Sequence, residues 1–269
     1  MKEVIMGWLQ RSRALISLAV LALLWSACVP SGPAREANPA AGQPESASSG
    51  GAPKVLTLTI PREPDTWNTD LTLVTRGGGA STVQYIGHNK LVVQNDDLTY
   101  VAELAVEQLS FERGTWRLNP DGTMETLWKL RPNVRWHDGA LFTADDLLFN
   151  FGVIKDPEIP NVIGAPARLM QAATAPDPYS FLIHWAAPYV DADQAPGLTV
   201  MPRHLLEDAY RTDKASFVNH PWMTTQFVGL GPYRLVRWHS GISMEFARHD
   251  GYFKGRPPLD TVIVRFIAD

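Results

Sequence analysis

With 269 residues, 45% of them apolar, and a formal net charge of −4, the chain has enough material for one large domain or two modest ones around a real core. That excludes disorder throughout. Basic residues come singly or in twos, so no phosphate-tracking stripe forms and nucleic acid is excluded as the main partner.

At the N-terminus, Lys2, Arg11 and Arg13 precede an unbroken apolar run, ALISLAVLALLW from Ala14 to Trp25, then Ser26, Ala27 and Cys28. A run of twelve is too short to cross a ~30 Å bilayer as a helix, so residues 1–28 are expected to be a signal peptide. Cys28 is the single cysteine, which rules out an internal disulfide. The segment resembles a bacterial lipoprotein signal, with Trp25 where that pattern has Leu. The resemblance implies lipid on Cys28, hence an extracytoplasmic protein, periplasmic or at the cell surface, anchored to the membrane. An ordinary secretory signal with an incidental cysteine is the alternative. Residues 29–53 are almost all Pro, Ala, Gly, Ser and small polar residues, a flexible, disordered tether that cannot bury enough apolar surface to fold.

The folded body then begins near Lys54. KVLTLTIP alternates Val55, Thr57 and Thr59 against Leu56, Leu58 and Ile60, the pattern of a strand. Between Gly77 and Val93 a helix is expected, with Val83, Ile86 and Leu91 near one face and Gly87 weakening it. Residues 109–132 predict a β-hairpin turned by Pro120, Asp121 and Gly122, with Trp116 and Trp128 on its arms. A short strand is expected within 178–188. Pro202 opens a helix whose stripe is Leu205, Leu206, Ala209 and Tyr210. Three more strands are expected after Gly231, around Gly241 and the Pro257-Pro258 turn. Strands and helices mixed without a regular βαβ beat indicate an α+β or mixed α/β protein.

The stretch VRWHDGALFTADDLLFNF, 134–151, gathers His137, Asp138, Asp145 and Asp146. Gly139 suits a tight turn after Asp138. Thr143 and Asp146 have capping-box spacing, with Asp145 and Asp146 at the positive end of a helix whose stripe is Ala144, Leu147, Leu148 and Phe151. These acids therefore have a structural job. Metal or nucleophilic chemistry would need further ligands or a base at defined spacing, and the seven histidines are scattered. Neither a catalytic residue, a metal site nor a cofactor is expected.

LRPNVRWHDGALFTADDLLFNF is also similar to a signature of the family 5 solute-binding proteins of bacterial ABC importers, the peptide, dipeptide and nickel binders: a Leu-Arg strand end, Trp-x-Asp-Gly, then Thr-Ala-x-Asp. Its residues here are Trp136, Asp138, Gly139, Thr143 and Asp146. GLGPYRLVRWHSG resembles the family's Gly-Thr-Gly-Pro-Tyr strand through Gly231, Pro232 and Tyr233, with Leu230 replacing Thr. ARHDGYFKGRPPLD resembles its Arg-Asn-x-x-Tyr-Trp segment, with Phe253 replacing Trp.

The resemblance implies a periplasmic-binding-protein-like fold (type II, cluster C): a discontinuous first lobe, here 54–93 and 198–269, with an inserted subdomain, 94–197, and a second lobe expected to be missing. It implies a solute-binding component, for oligopeptides or dipeptides, that is not an enzyme. The implied partners are a peptide or other small solute, an ABC permease with its ATPase subunits, and the membrane through the lipid anchor. Ligand contact is expected in the loop LVTRGGGAS, at Thr75, Arg76, Gly77 and Gly78, where glycine admits close backbone approach and Arg76 can pair with a carboxylate. Competing readings are a secreted hydrolase or metal-dependent enzyme built on the acids and His137, and a non-transporting surface lipoprotein.

Overall fold

Ten strands and five helices fill the residues that the computed structural model describes, 52–68, 71, 80–159, 165–195 and 199–267. All of them lie in one unit, Gly50–Asp269. In chain order these are β1 (Val55–Ile60), α1 (Ala80–Gly87), β2 (Val92–Gln94), β3 (Tyr100–Ala102), β4 (Trp116–Leu118), β5 (Met124–Lys129), α2 (Ala144–Lys155), α3 (Ala165–Leu169), β6 (Met170–Asp177), β7 (Ser180–Trp185), α4 (Arg203–Thr212), α5 (Lys214–Phe217), β8 (Tyr233–His239), β9 (Ser243–Arg248) and β10 (Thr261–Phe266).

The first and last strands among the described residues lie side by side in one four-stranded sheet, ordered β1-β10-β9-β8. β1 runs parallel to β10 in continuous register from Val55 opposite Thr261 to Ile60 opposite Phe266, and β8, β9 and β10 are antiparallel. A parallel pair needs a long crossover, and here everything from α1 to β9 supplies it. One face of the sheet buries Met244, Phe246, Val262 and Val264, while Val55 and Leu56 on edge strand β1 stay exposed. The middle of the chain builds a separate antiparallel sheet, β4-β5-β7-β6, against which α2 packs through β6 and β7. Its centre is Met124, Trp128, Phe181, Ile183 and Trp185, where the Trp185 indole N–H donates to Thr126 Oγ1 at 2.9 Å. Strands β2 and β3 form a small ribbon of their own.

The expected hairpin is β4–β5, and the expected strands at 178–188 and after Gly231 are β7 to β10. Three expectations need correction. Helix α1 stops at Gly87, so Leu91 is not on its face; it is buried just ahead of β2. In α4, Leu206 is buried but Leu205 is 38% exposed, so the core-facing stripe is narrower than the apolar pattern. Helix α2 buries Ala144, Asp146, Leu147, Asn150, Val153 and Ile154, leaving Leu148 and Phe151 only half-buried, and the face that carries Asp146 is turned toward the start of α4. Strand β6 was not expected at all.

Candidate functional site

Two of the signature segments meet at 229–231, where His137 of the first bonds Gly229 and Gly231 of the second. Gly229 and Gly231 lie so close to the end of α1 that a Cβ on Gly229 would sit 2.0 Å from the Gly87 carbonyl oxygen, and one on Gly231 would sit 2.4 Å from His88 N. Gly231 N–H donates to that same Gly87 carbonyl at 3.1 Å. Only glycine permits this approach of two backbones, which gives the Gly-x-Gly-Pro-Tyr pattern its physical reason.

Two imidazoles clamp the segment from either side. His88 Nδ1 accepts from Leu230 N–H at 3.3 Å, and His137 Nδ1 accepts from Gly229 N–H at 3.1 Å. Each ring must then carry its proton on Nε2, which donates to the Val200 carbonyl at 2.9 Å in His88 and to the Gly231 carbonyl at 3.0 Å in His137. Burial pushes His88 down to about 3 and His137 down to about 4. His249, its ring 5.1 Å from that of His137, is also lowered by burial.

Asp138 and Asp146 are used as supports too. Gly139 takes φ 93 in the turn after Asp138, whose Oδ1 accepts from Ala140 N–H at 3.1 Å and whose Oδ2 meets His204 Nε2 at 2.7 Å. Asp146 Oδ2 accepts from Thr143 N–H at 3.0 Å, the returning half of a capping box at the start of α2. Its Oδ1 accepts from Arg203 N–H at 2.9 Å, at the start of α4, and the Trp136 indole reaches Oδ2 at 3.4 Å. One buried carboxylate thus caps two helices. Burial pushes its pKa up, and the amides of Thr143 and Arg203 pull it back. Asp146→Ala removes both caps, and the expected loss is about 2 kcal/mol in urea unfolding, with Asp146→Asn losing less. Asp145, expected to favour the helix dipole, also pairs with Arg203 at 3.4 Å.

The third signature has a similar role. Tyr252 hydroxyl donates to Glu103 Oε1 at 3.2 Å and accepts from Asn89 Nδ2 at 3.0 Å, Lys254 pairs with Glu103 Oε2, and Arg131 lies 5.9 Å from the Phe253 ring centroid. Glu103 is buried, so its pairing with Lys254 and Tyr252 satisfies a charge that would otherwise be costly. Sequence reasoning identified the motif but missed Glu103 and Asn89, whose partners lie more than a hundred residues away.

The expected ligand residues Thr75, Arg76, Gly77 and Gly78 lie outside the described residues, as does Cys28. The described residues that flank the 75–78 loop in sequence are tied to one another and to 223–227. Trp67 N–H donates to the Met223 carbonyl at 2.8 Å, its indole N–H to the Thr224 carbonyl at 3.0 Å, and its own carbonyl accepts from Gln84 Nε2 at 2.6 Å. Its ring stacks on Phe227 with centroids 4.0 Å apart. Beside this frame, at the carboxyl end of β1, opens a cleft of ≈470 Å³ lined by Arg62, Asp65, Thr224, Thr225, Trp238 and Ser240. Glu63 also lines it and holds the β8–β9 turn by accepting from the Trp238 indole at 2.5 Å and Gly241 N–H at 2.8 Å. Trp67, Trp128, Trp136, Trp185 and Trp222 are all buried, so these tryptophans are core rather than an aromatic ligand surface. Among the described residues no cluster of three or more His, Cys, Asp or Glu is arranged to hold a metal ion, and no helix is long and apolar enough to cross a membrane.

Residues 112–269 match the model of the bacterial extracellular solute-binding proteins, family 5 (Middle). The chain belongs to this family. It is 26% identical over 153 residues to the oligopeptide-binding protein AppA of Bacillus subtilis, covering 55% of this chain and 27% of that protein. With the heme-binding protein A of Haemophilus influenzae it shares 24% identity over 272 aligned positions, 96% of this chain and 47% of the relative. The chain therefore spans between about a quarter and a half of these relatives' length. Its fold is similar to that of the matching part of the Thermus thermophilus oligopeptide binding protein solved with a pentapeptide: TM-score 0.70, 22% identity, 80% of this chain and 41% of that one. The mixed α/β architecture expected from the sequence is thereby shown.

Proposed function

We propose that the protein is the extracytoplasmic solute-binding component of an ABC importer and that its solute is an oligopeptide or dipeptide. The observation that carries this is the family match over residues 112–269, supported by a relative and a structural neighbour that are themselves oligopeptide-binding proteins. Residues 54–93 and 198–269 form the first lobe in this reading, in keeping with the sheet that joins β1 to β8, β9 and β10, and 94–197 form the inserted subdomain with the second sheet. Ligand meets Thr75, Arg76, Gly77 and Gly78, with the cleft at Arg62 and Asp65 extending the polar surface. Extended peptides are held by backbone hydrogen bonds and hydrated side-chain pockets, which allows broad specificity. The signal at residues 1–28 directs export, and lipid on Cys28 anchors the chain where a permease with cytoplasmic ATPase subunits receives the solute.

The competing hydrolase reading loses its motive, because His137, Asp138 and Asp146 are each engaged in hydrogen bonds that hold the backbone.

Two experiments test the proposal. Calorimetric titration with a pool of short peptides is expected to show binding, weakened roughly tenfold or more by Arg76→Ala, since a lost charge-assisted hydrogen bond costs about 1.5–3 kcal/mol. No binding, both by this chain and by a version extended with the second lobe, overturns the solute assignment. Cys28→Ser is expected to move the protein from the membrane fraction to the aqueous fraction; unchanged partitioning refutes the anchor.

A further inference from the structure

Strand β8 runs in the same direction as β1, since β1 is parallel to β10 and the pairings β10–β9 and β9–β8 are both antiparallel. The two strands therefore end on the same side of the sheet, the side on which open α/β sheets take their ligands. The cleft of ≈470 Å³ opens there, within the size range of small-molecule sites. Both of its walls are braced. Asp65 is followed by Thr66, whose hydroxyl donates to the Met223 carbonyl at 3.1 Å, and by Trp67, whose N–H donates to the same carbonyl at 2.8 Å. This sets Asp65 on the wall that Thr224 and Thr225 share. The β8–β9 turn makes the other wall, held by Glu63, which accepts from the Ser240 hydroxyl at 3.2 Å as well as from Trp238 and Gly241.

The lining carries two carboxylates, Glu63 and Asp65, against one guanidinium, Arg62. Glu63 is satisfied by neutral donors, which leave its charge in place. Asp65 is exposed, and the half-buried Trp238 ring lines the same cleft with a surface on which cations and aliphatic stems both pack. Carboxylate, hydroxyl acceptors and indole together match a cation carried on an aliphatic stem. An anionic group meets more negative than positive charge there. A metal ion is not suited either, because among the described residues no three His, Cys, Asp or Glu are gathered to hold one.

We propose that this cleft receives a lysine or arginine side chain of the bound peptide, its charge paired with Asp65 and its stem lying along Trp238. This rests on the peptide reading above and names one side-chain class within it. The cleft is continuous with the residues that flank the 75–78 loop: the Trp67 indole donates to the Thr224 carbonyl, and the Trp67 and Trp238 rings meet edge to face with centroids 6.3 Å apart. The α-ammonium of a peptide carries the same charge, so the test compares peptides that share it and differ only in the side chain.

The full chain is titrated calorimetrically with the tripeptide alanyl-lysyl-alanine and with its neutral counterpart, in which norleucine replaces lysine. The lysine peptide is expected to bind roughly tenfold more tightly, the effect of a charge-assisted contact beside an aromatic wall, and added salt should shrink the ratio. Asp65→Asn is expected to bring the ratio close to one. Thr225→Lys, which sets a cation of the chain's own in the cleft, is the second variant and should do the same. Both positions are exposed, so both variants should melt with the wild type. Equal affinities in the wild type overturn the cleft assignment, and so does a lysine preference that Asp65→Asn keeps; either result leaves the peptide reading standing. If the wild type binds neither peptide, the peptide reading falls and the cleft assignment with it.

Discussion

Gly231→Ala is expected to destabilise the protein by about 3 kcal/mol or more, beyond the usual cost of overpacking, because the added Cβ meets backbone rather than a side chain that can turn aside. The new carbon would lie 2.4 Å from Gly87 C and from His88 N, and 2.8 Å from Gly87 O. Relief requires moving α1 away from the 229–231 segment, which breaks the Gly231 N–H bond to Gly87 and pulls His88 off Leu230, or moving the segment, which pulls it off His137 as well. For a body of this size the melting temperature should fall by roughly 6–12 °C. Gly229→Ala, 2.0 Å from Gly87 O and 2.6 Å from Phe227 Cε1, should behave in the same way. Gly152 gives the contrast: it is exposed on α2 with nothing within 4 Å of a Cβ, so Gly152→Ala should stabilise by about 0.5–1 kcal/mol. Thermal melts of the three variants check the argument. Equal effects at Gly231 and Gly152 would mean that the close approach at Gly87 carries no energetic weight.

What the sequence revealed and what it hid divide by range. The β4–β5 hairpin was legible because Pro120, Asp121 and Gly122 encode its turn locally, and the start of α2 was legible because Thr143 and Asp146 are three residues apart. Strand β6 was hidden: MQAATAPD has little β-branched or aromatic content and mostly exposed positions, and it exists because β7 offers an edge to pair with. The supports around 229–231 were hidden for another reason. Gly87 and Gly231 are 144 positions apart, and His137 serves residues more than ninety positions downstream, so no window of sequence contains both partners. The motif could be recognised by resemblance, while its steric and hydrogen-bonding cause needed the fold. Likewise the double role of Asp146 shows only when Arg203 is brought to it.

Acid is expected to weaken the protein through its buried histidines before its carboxylates respond. His88 and His137 are neutral in the fold, held down to about 3 and about 4, against an ordinary value of 6.5. A histidine whose folded pKa is depressed binds its proton first in the unfolded chain, so stability is full above 6.5 and falls as pH drops from there toward the folded values. In that window each histidine contributes a slope approaching about 1.4 kcal/mol per pH unit, and the pair up to about 2.7. His249, also lowered, acts in the same direction. Asp146, raised by burial, acts oppositely, because the folded state takes up its proton first as pH falls below the raised value. Asp156, held to about 2 by hydrogen bonds from Lys214 and Tyr210, loses its contribution only as pH falls from its ordinary 3.8 through that value. The decline between pH 6 and 4 therefore belongs chiefly to the histidine clamp. The atomic cause is specific: a proton on His137 Nδ1 would face Gly229 N–H, and one on His88 Nδ1 would face Leu230 N–H, turning two hydrogen bonds into donor–donor contacts. Urea unfolding measured at intervals from pH 7 to 4 checks this. His137→Asn should start less stable at pH 7 yet lose stability with a slope smaller by about 1.4 kcal/mol per pH unit, one proton's worth. An unchanged slope in His137→Asn and in His88→Gln would place the acid sensitivity elsewhere and remove the clamp as its cause.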